Sequence, residues 1–343
     1  MITLKELAEE CNVSIATISN ILNGKSNVSK ETKERVLAVI KERGYKPNLM
    51  ARSLRAITTR TIGVIVDDLG AFGTPEIIEG IISNCEKSNY KVIIETLRIF
   101  TSLNGVRSLN TQEFRDKVDS ILAEMLAMRV NAIIYISAYS RDITYLPKDF
   151  PIPIVLAYAT TQDEAIPCVI PEDLKALEEL TDYLVENNCK KIAVIKGTAN
   201  IHTKLREEGF RKAMKKHNLP INEDFIFDGR WNAEYGKKAC QEIFSHGRPD
   251  AIICFNDYMA AGAYQYLVEN NITPGKDISV VGFDNNKISR SLPPPLTTMG
   301  IGVYGIGSTA AQLIFRMIAG EKVEYHTYEI PCNFIERESV VKK

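Results

Sequence analysis

The stretch VSIATISNILN, at residues 13–23, predicts a helix with two different faces. Ile18, Ile21 and Leu22 recur at helical spacing and are expected to face a core. The outward positions near the start of this helix carry short side chains: Ile15, Ala16, Thr17, Ser19 and Asn20. A helix-turn-helix presents this end of its second helix to the major groove of DNA, so the stretch is predicted to be a recognition helix.

A shorter helix is predicted just before this stretch, at residues 4–10. Thr3 can cap it, and Glu6 can return the hydrogen bond three residues later. Asn12 tolerates the left-handed backbone that a sharp turn between two helices needs, and Ser14 can cap the second helix. These signals favour a helix-turn-helix, although a small helical hairpin with a solvated face would share them.

A third helix is predicted at residues 30–43, after a polar turn. Ser29 can cap its start, and Gly44 can end it. Val36, Leu37 and Ile40 are predicted to share its buried face. A short apolar and basic helical segment at residues 49–54 follows.

This order of segments resembles the LacI/GalR family, the lactose-repressor family of bacterial transcription regulators. The residues that carry the resemblance are dense over the first sixty positions: Leu4, Ala8, Val13-Ser14, Thr17, Ser19, Asn23-Gly24, Val28-Ser29, Thr32, Val36, Gly44-Tyr45, Pro47-Asn48 and Ala51-Arg52-Ser53-Leu54. The resemblance implies a helix-turn-helix domain at 1–46, a hinge helix and linker at 47–60, and a ligand-binding and dimerisation domain at 61–343. The overall class implied is α/β with an all-α head.

The same resemblance assigns roles in DNA binding. Ile15, Ala16 and Asn20 are expected to set base preference; many relatives carry Arg at the position of Asn20, which favours guanine, whereas Asn suits adenine. The positions expected to hold phosphates are Thr3, Ser14, Thr17, Ser19, Asn23, Ser29 and Tyr45. Leu4, Asn48 and Ala51 are further expected DNA contacts. A homodimer on a palindromic operator is expected, because one short helix reads only a few base pairs.

Residues 48–54 are shorter than the length at which an isolated helix is stable in water, so this segment is expected to fold only on DNA. By resemblance, Leu54 enters the minor groove and kinks the duplex. The alternative is a flexible linker with Leu54 buried on the body of the protein.

Charge is distributed unevenly along the chain. Residues 1–60 carry eleven Lys and Arg against six Asp and Glu, whereas the remainder carries 31 against 37, and the whole chain has a formal net charge of −1. A basic head on an acidic body is typical of a protein whose head alone meets phosphate.

Strand and helix patterns alternate from residue 61 onward and then restart near residue 172. This alternation predicts parallel sheets with right-handed crossovers. Two similar halves predict a bilobed binding domain with the ligand between the lobes. The resemblance to the LacI/GalR family implies that this domain is like a periplasmic binding protein. The predicted N-lobe covers about 61–157 and 297–321, and the predicted C-lobe covers about 158–296 and 322–343. Residues 97–111 form an apparent insertion, either a surface elaboration or a contact for a ligand or partner.

Candidate effector residues follow predicted strands or match family positions. Asn256 and Asp284 come at strand ends, and Arg206 matches a family position that points into the ligand site. A guanidinium donates and a carboxylate accepts, so together they suit adjacent sugar hydroxyls. Trp231 and Tyr258 have an ordinary core explanation, although the family commonly has a sugar-stacking aromatic at the position of Trp231. Tyr158 and Ile301 stand at positions that are often polar in sugar-binding relatives, and Asp67 stands where a small hydroxyl is common. The effector, expected to be a sugar or sugar derivative, is therefore not named.

Three classes of function remain. The favoured one is a ligand-responsive, sequence-specific transcription regulator, a repressor of carbohydrate-metabolism genes and not an enzyme. The second is a solute-binding module without a DNA role. The third is an NAD-dependent enzyme, suggested by the G-x-G-x-x-G spelling at residues 300–305, although three prolines precede it where a βαβ unit needs a strand.

No cofactor, metal site or membrane contact is expected. The seven Cys form no C-x-x-C pair, and the four His lack metal-ligand spacing. The N-terminus becomes polar at once, and no apolar run approaches membrane-spanning length, so a cytoplasmic protein is expected. The chain ends soon after its last predicted strand, without the leucine-rich helix of tetrameric relatives, which favours a dimer.

Overall fold

The computed structural model describes residues 2–22, 28–44, 59–99, 111–138, 141–324 and 327–342. The chain divides into two compact units, Met1–Thr59 and Arg60–Lys343. The described part of the first unit contains helices α1 (Leu4–Glu10), α2 (Ile15–Leu22) and α3 (Lys30–Glu42). Leu7, Ile18 and Val36 are fully buried between them, so each helix contributes one side chain to the centre of this small core.

Local signals placed these three helices correctly. Thr3 and Glu6 form the reciprocal capping box on α1, and the hydroxyls of Ser14 and Ser29 accept from the backbone amides of Thr17 and Thr32. Asn12 has a φ of 46°, the left-handed conformation that its position in the turn predicted. The prediction for α3 was wrong at Leu37, which is 42% exposed, because Val39 rather than Leu37 packs beside Val36 and Ile40.

The second unit has two six-stranded sheets. Its elements in chain order are β1 (Thr61–Val66), α4 (Thr74–Lys87), β2 (Lys91–Thr96), α5 (Gln112–Ala127), β3 (Ala132–Ile136), β4 (Ile154–Ala157), β5 (Cys168–Pro171), α6 (Asp173–Glu186), β6 (Ile192–Lys196), α7 (Ile201–Lys216), β7 (Ile226–Asp228), α8 (Ala233–His246), β8 (Ala251–Cys254), α9 (Asp257–Glu269), β9 (Ser279–Asp284), β10 (Thr297–Gly300), α10 (Val303–Ile318), β11 (Thr327–Ile330) and β12 (Asn333–Ile335). Short 3₁₀ turns lie at Glu223–Phe225 and Lys287–Arg290.

The first sheet has the strand order β11-β5-β4-β3-β1-β2, and its strands are parallel. Strand β1 is buried along its whole length because helices cover both faces of the sheet. Alternate residues point to opposite faces: Val64 joins the core beneath α4 and α10, whereas Ile65 joins the core beneath α5.

The second sheet has the order β12-β10-β9-β8-β6-β7. Its strands are parallel except for β12, which runs antiparallel to β10. Helices α6 to α9 pack on this sheet as the pairs α6–α7 and α8–α9. The predicted fold class, an all-α head followed by two parallel α/β lobes, is therefore confirmed.

The predicted lobe boundaries were wrong at three strands. β5 and β11 belong to the first sheet, and β10 belongs to the second, because the chain crosses between the lobes after each of them. Each of the three is four residues long, and Pro171 ends β5. Strands this short carry too little periodicity to reveal which sheet they join.

The G-x-G-x-x-G spelling has a structural explanation. Gly300 ends β10 in the second sheet, whereas the helix that follows, α10, packs on α4 of the first lobe, so strand and helix do not form one βαβ unit. A Cβ on Gly302 or Gly305 would lie 3.0 or 3.1 Å from the Ile330 side chain. These glycines let the crossover approach β11 closely.

The predicted insertion lies largely outside the described residues, and its described start is buried at Leu97 and Ile99. The predicted hinge segment at 48–54 lies wholly outside them. Within the described ranges, none of the helices is both long enough and apolar enough to span a membrane.

Candidate functional site

A cavity of about 600 Å³ lies between the two lobes of the second unit. Its wall is built from loops that leave the carboxyl ends of the strands, the usual place for a ligand in open parallel sheets. The first lobe contributes Gly70, Ala71, Phe72, Gly73, Pro75, Glu76, Ala138 and Tyr158, and the second contributes Asn200, His202, Arg206, Trp231, Asn256, Tyr258, Asp284, Asn285, Asn286 and Lys287.

Five of the six residues predicted to bind an effector line this cavity: Tyr158, Arg206, Trp231, Asn256 and Asp284. Asp67 is not part of its wall. The Asp67 carboxylate is fully buried and forms an ion pair with Arg141. It also accepts from the Tyr135 hydroxyl at 2.6 Å and from the Ala138 amide at 2.9 Å. These internal partners occupy the carboxylate and explain why the prediction for Asp67 was wrong.

Arg206 is the largest fully buried side chain of the described residues, at 1% exposure. It lies in the second turn of α7. Its Nε donates to Asp173 Oδ1 at 2.7 Å, and its Nη1 donates to the carbonyl oxygen of Phe255. The guanidinium lies 3.7 Å from the centre of the Phe283 ring. These contacts hold Arg206 in one orientation.

Asp284 lies beside Arg206 without a close ion pair, because its Oδ1 is 3.7 Å from Arg206 Nη1. Burial raises the pKa of the Asp284 carboxyl well above its ordinary value; Arg206 opposes this shift, and Asp257 and Asp173 add to it. Its backbone φ is 101°, and Asn285 follows at 52°. A buried carboxyl group of this kind is stabilised by hydrogen-bond donors that a bound ligand supplies.

Asn256 positions the cavity wall through two internal hydrogen bonds. Its Oδ1 accepts from the Met259 amide at 2.8 Å at the start of α9, and its Nδ2 donates to the Trp231 carbonyl at 3.1 Å. The prediction gave these two groups to a ligand. Both therefore have internal partners, and Asn256 acts on the cavity mainly by holding Trp231.

Trp231 has a left-handed backbone, with a φ of 62°. Its ring packs against Gly197, where a Cβ would lie 1.9 Å from Trp231 Cε2. A bulky residue rarely adopts this backbone, and such strain is concentrated at functional sites. The core explanation for Trp231 is met in part, since its ring is packed. The ring also lines the cavity, and its role in stacking on a sugar stays a prediction. The core explanation is wrong for Tyr258, which is 43% exposed.

Sequence reasoning missed His202, which lines the cavity and is 2% exposed. His202 lies four residues before Arg206 on α7, so both side chains project from one face of the helix. Both bind the same carboxylate, since His202 Nδ1 pairs with Asp173 Oδ2. The spacing of His202 and Arg206 was the available signal, but Asp173 gave none, because strand β5, which ends two residues before it, was not predicted.

The predicted DNA-facing residues are exposed to different degrees. Thr3, Ser14, Ile15, Ala16 and Ser29 are exposed, and Leu4, Thr17, Ser19 and Asn20 are half-buried. Ile15 is 42% exposed, a large apolar side chain on the outer face of α2. The remaining predicted contacts, Asn23, Tyr45, Asn48, Ala51 and Leu54, lie outside the described residues.

Comparisons with known proteins agree with this architecture. The family described as bacterial regulatory proteins, lacI family, matches residues 3–48, and the periplasmic binding protein-like domain matches residues 181–340. The chain is 32% identical over 344 residues to the HTH-type transcriptional repressor PurR of Histophilus somni, covering 99% of both chains. The chain belongs to the lacI family of bacterial regulatory proteins.

Two other known proteins match over nearly the full length. The HTH-type transcriptional regulator RegA of Clostridium acetobutylicum is 33% identical, with 98% of each chain covered. The fold matches the crystal structure of the lac repressor dimer bound to operator and the anti-inducer ONPF, with a TM-score of 0.83, 24% identity and 99% of each chain covered.

Membership in the lacI family confirms the favoured class of function, a transcription regulator, whereas repression of carbohydrate-metabolism genes stays a prediction. The protein is a ligand-responsive, DNA-binding transcription regulator and not an enzyme. The NAD-dependent alternative is wrong, in agreement with the position of the G-x-G-x-x-G residues across two lobes. A solute-binding module without a DNA role is also wrong, since the helix-turn-helix unit matches the family.

Proposed function

We propose that the cavity between the lobes binds the small effector of this regulator, and that binding changes the operator affinity of a homodimer. One observation carries the proposal: the wall contains residues of both lobes, among them Tyr158 from the first and Arg206 and Asp284 from the second. A ligand that touches both lobes favours one arrangement of them over another. Coupling between two sites of this kind is typically about 1–3 kcal/mol.

The proposed effector is a sugar or a sugar derivative. Asp284 offers carboxyl oxygens to the hydroxyl groups of a ligand, and Trp231 lines the same cavity with an aromatic ring. The Arg206 guanidinium already donates hydrogen bonds to Asp173 and to the Phe255 carbonyl. Its main role is therefore to hold the cavity wall in place and to give the wall a positive charge. Repression of carbohydrate-metabolism genes follows from an effector of this class.

The DNA side of the proposal is a two-fold-symmetric operator. In each protomer, Ile15, Ala16 and Asn20 on the outer face of α2 contact base edges. Thr3, Ser14, Thr17, Ser19 and Ser29, together with Asn23 and Tyr45, hold phosphates. Residues 48–54 fold as a hinge helix on DNA, with Leu54 in the minor groove, a part that rests on the family resemblance. The site of action is the cytoplasm, where the operator DNA lies.

An effector screen tests the proposal. The full chain is bound to a fluorescent operator obtained by selection from random DNA, and monosaccharides and disaccharides are added one at a time. The proposal predicts that at least one sugar changes the apparent operator Kd by about fivefold or more. Operator binding that responds to no sugar, or a selected site without dyad symmetry, contradicts it.

A further inference from the structure

The segment at residues 284–286 carries the Asp284 carboxyl group into the cavity wall. It begins at the last residue of β9, and all three of its residues line the cavity. Asp284 has a φ of 101° and Asn285 has a φ of 52°, so two consecutive non-glycine residues lie in the left-handed region. Such a backbone persists only where the surrounding structure determines it. The groups that hold the 284–286 segment therefore decide where the Asp284 carboxyl group lies.

Arg337, which is not part of the cavity wall, holds the side chain in the middle of this segment. It is half-buried and lies two residues after β12. Its Nη2 donates to Asn285 Oδ1 at 2.6 Å. Its Nη1 donates to the Leu296 carbonyl oxygen at 2.6 Å and to Ser289 Oγ at 3.1 Å. One guanidinium thus connects the 284–286 segment to the 3₁₀ turn that follows it and to the residue before β10.

The backbone of Arg337 is itself anchored. Its amide donates to Thr297 Oγ1 at 2.9 Å, and the amide of Glu338 donates to the Pro295 carbonyl oxygen at 3.1 Å. A guanidinium is planar and has its donors in a fixed arrangement, so an anchored Arg337 presents them to three acceptors at once. A lysine ammonium is a point charge on a flexible stem and does not reproduce this arrangement.

Asp257 holds the next residue of the segment. Its Oδ2 accepts from the Asn286 amide at 2.6 Å. A Cβ on Gly282 would lie 2.2 Å from Asp257 Oδ1, so this glycine lets the carboxyl group approach β9 closely. Asp257 therefore holds the backbone at Asn286, and Arg337 holds the side chain at Asn285. Removing the Arg337 guanidinium releases one of these two attachments.

We propose that Arg337 is a positioning residue for effector binding, because through Asn285 it fixes the segment that presents the Asp284 carboxyl group to the cavity. This inference rests on the proposed function, since it takes the cavity as the effector site. Arg337 acts without touching the effector, and its influence on binding passes through the 284–286 segment. The planar arrangement of donors is required, and a positive charge alone is not sufficient.

Three substitutions separate positioning from other roles. Arg337→Met keeps most of the apolar stem and removes every donor. Arg337→Lys keeps the charge but loses the planar donors, and it keeps the test available where Arg337→Met does not fold. Asn285→Gly removes the acceptor through which Arg337 is proposed to act, and glycine accepts the left-handed backbone at this position. Arg316→Met is the matched control, since Arg316 forms an exposed pair with Glu321 at the end of α10.

The probes are D-glucose, D-ribose and cellobiose, and binding is measured by calorimetry on the full chain. For a probe that the natural protein binds, we expect Arg337→Met to weaken binding about tenfold and Arg337→Lys to weaken it at least about threefold. Arg316→Met should stay within about twofold of the natural protein, because an exposed pair contributes little. Natural affinity in Arg337→Met, or full rescue by Arg337→Lys, overturns the inference.

A double-mutant cycle gives a result that general support of the fold does not produce. If Arg337 acts through Asn285, each single substitution breaks the same hydrogen bond, and the double variant binds no more than about twofold more weakly than the weaker single variant. If Arg337 supports only the fold, through Leu296 and Ser289, the two losses multiply. Losses that multiply would show that Arg337 is not a positioning residue.

Hydrogen exchange gives a further result without any ligand. Mass spectrometry of the full chain follows amide exchange across residues 283–290 and, as a reference, across β6. We expect faster exchange at 283–290 in Arg337→Met and Arg337→Lys than in the natural protein, with equal exchange in β6, because one attachment is lost. Unchanged exchange at 283–290 overturns the inference and leaves the proposed function intact. Failure of every probe to bind the natural protein contradicts the proposed function, and this inference with it.

Discussion

Nε of Arg206 donates to Oδ1 of Asp173 across 2.7 Å, and both side chains are buried. Asp284 lies farther away, at 3.7 Å from Arg206 Nη1. The guanidinium is therefore held mainly by Asp173 and the Phe255 carbonyl, whereas the Asp284 carboxyl is the more available group on the cavity wall. The two residues should respond differently to substitution.

Arg206→Ala is expected mainly to lower the free energy of unfolding, so the variant tests the stability of the fold rather than ligand binding. Removing the guanidinium leaves Asp173 buried with His202 as its remaining partner, and breaking a buried ion pair costs about 3–5 kcal/mol. Denaturant unfolding measures this loss. Arg211→Ala is the control on the same helix: Arg211 pairs with Glu207 and Glu223 near the surface, so about 1 kcal/mol or less is expected. Equal losses in the two variants would contradict the assignment.

Asp257 is expected to make stability depend on pH. Burial raises its carboxyl pKa to about 7, although Thr298 and the Asn286 amide donate to it. A carboxyl with a raised folded pKa contributes stability that is present below its unfolded pKa and lost as the pH rises through the folded value. Relative to Asp257→Asn, the natural protein should lose a few kcal/mol, on the order of 1.4 kcal/mol per pH unit, between about pH 4 and 7.

The measurement for Asp257 is the free energy of unfolding across that pH range in both proteins. The difference between the two free energies of unfolding should be constant at the acid end of the range. It should then change steadily towards neutral pH, as the natural protein loses stability. Curves that stay parallel from acid to neutral pH would show that Asp257 ionises normally.

Asn20→Arg is expected to change which base the recognition helix selects. Asn20 is half-buried on α2, beside the exposed Ile15 and Ala16. An Asn side chain pairs best with adenine, whereas Arg pairs with guanine, and a good bidentate pair discriminates by about 1–3 kcal/mol. Site selection from random DNA should show guanine enriched at one symmetric pair of positions. Lys41→Arg, an exposed change in the last turn of α3, serves as the control and should leave the selected sequence unchanged.

Interactions between residues close together in the sequence were predicted best. Capping by Thr3, Ser14 and Ser29 involves partners three residues away, so the pattern contains the whole interaction. The role of Asp67 depends on its ion pair with Arg141, which lies 74 residues later in the chain. No local sequence pattern around either residue predicts that pair. The sheet membership of β5, β10 and β11 likewise depends on long-range pairing.

The candidate site shows the same division. Asn256 and Asp284 were placed at the cavity because strand ends are visible in the sequence and parallel strands end at one edge. The partners that decide their roles were not visible: the Trp231 carbonyl for Asn256, and Asp173 for Arg206 and His202.

The most direct test of the effector site is the response of operator binding to effector in Asp284→Asn. Asn tolerates the left-handed backbone at this position, where φ is 101°, and it is close to Asp in size. It replaces the carboxyl group by an amide and so removes one of the two oxygen acceptors. The measurement is fluorescence anisotropy of labelled operator, titrated with the sugar that the screen identifies. We predict that operator affinity without effector is unchanged and that the effector concentration for half response rises about tenfold or more. An unchanged effector response in Asp284→Asn would show that the ligand binds elsewhere.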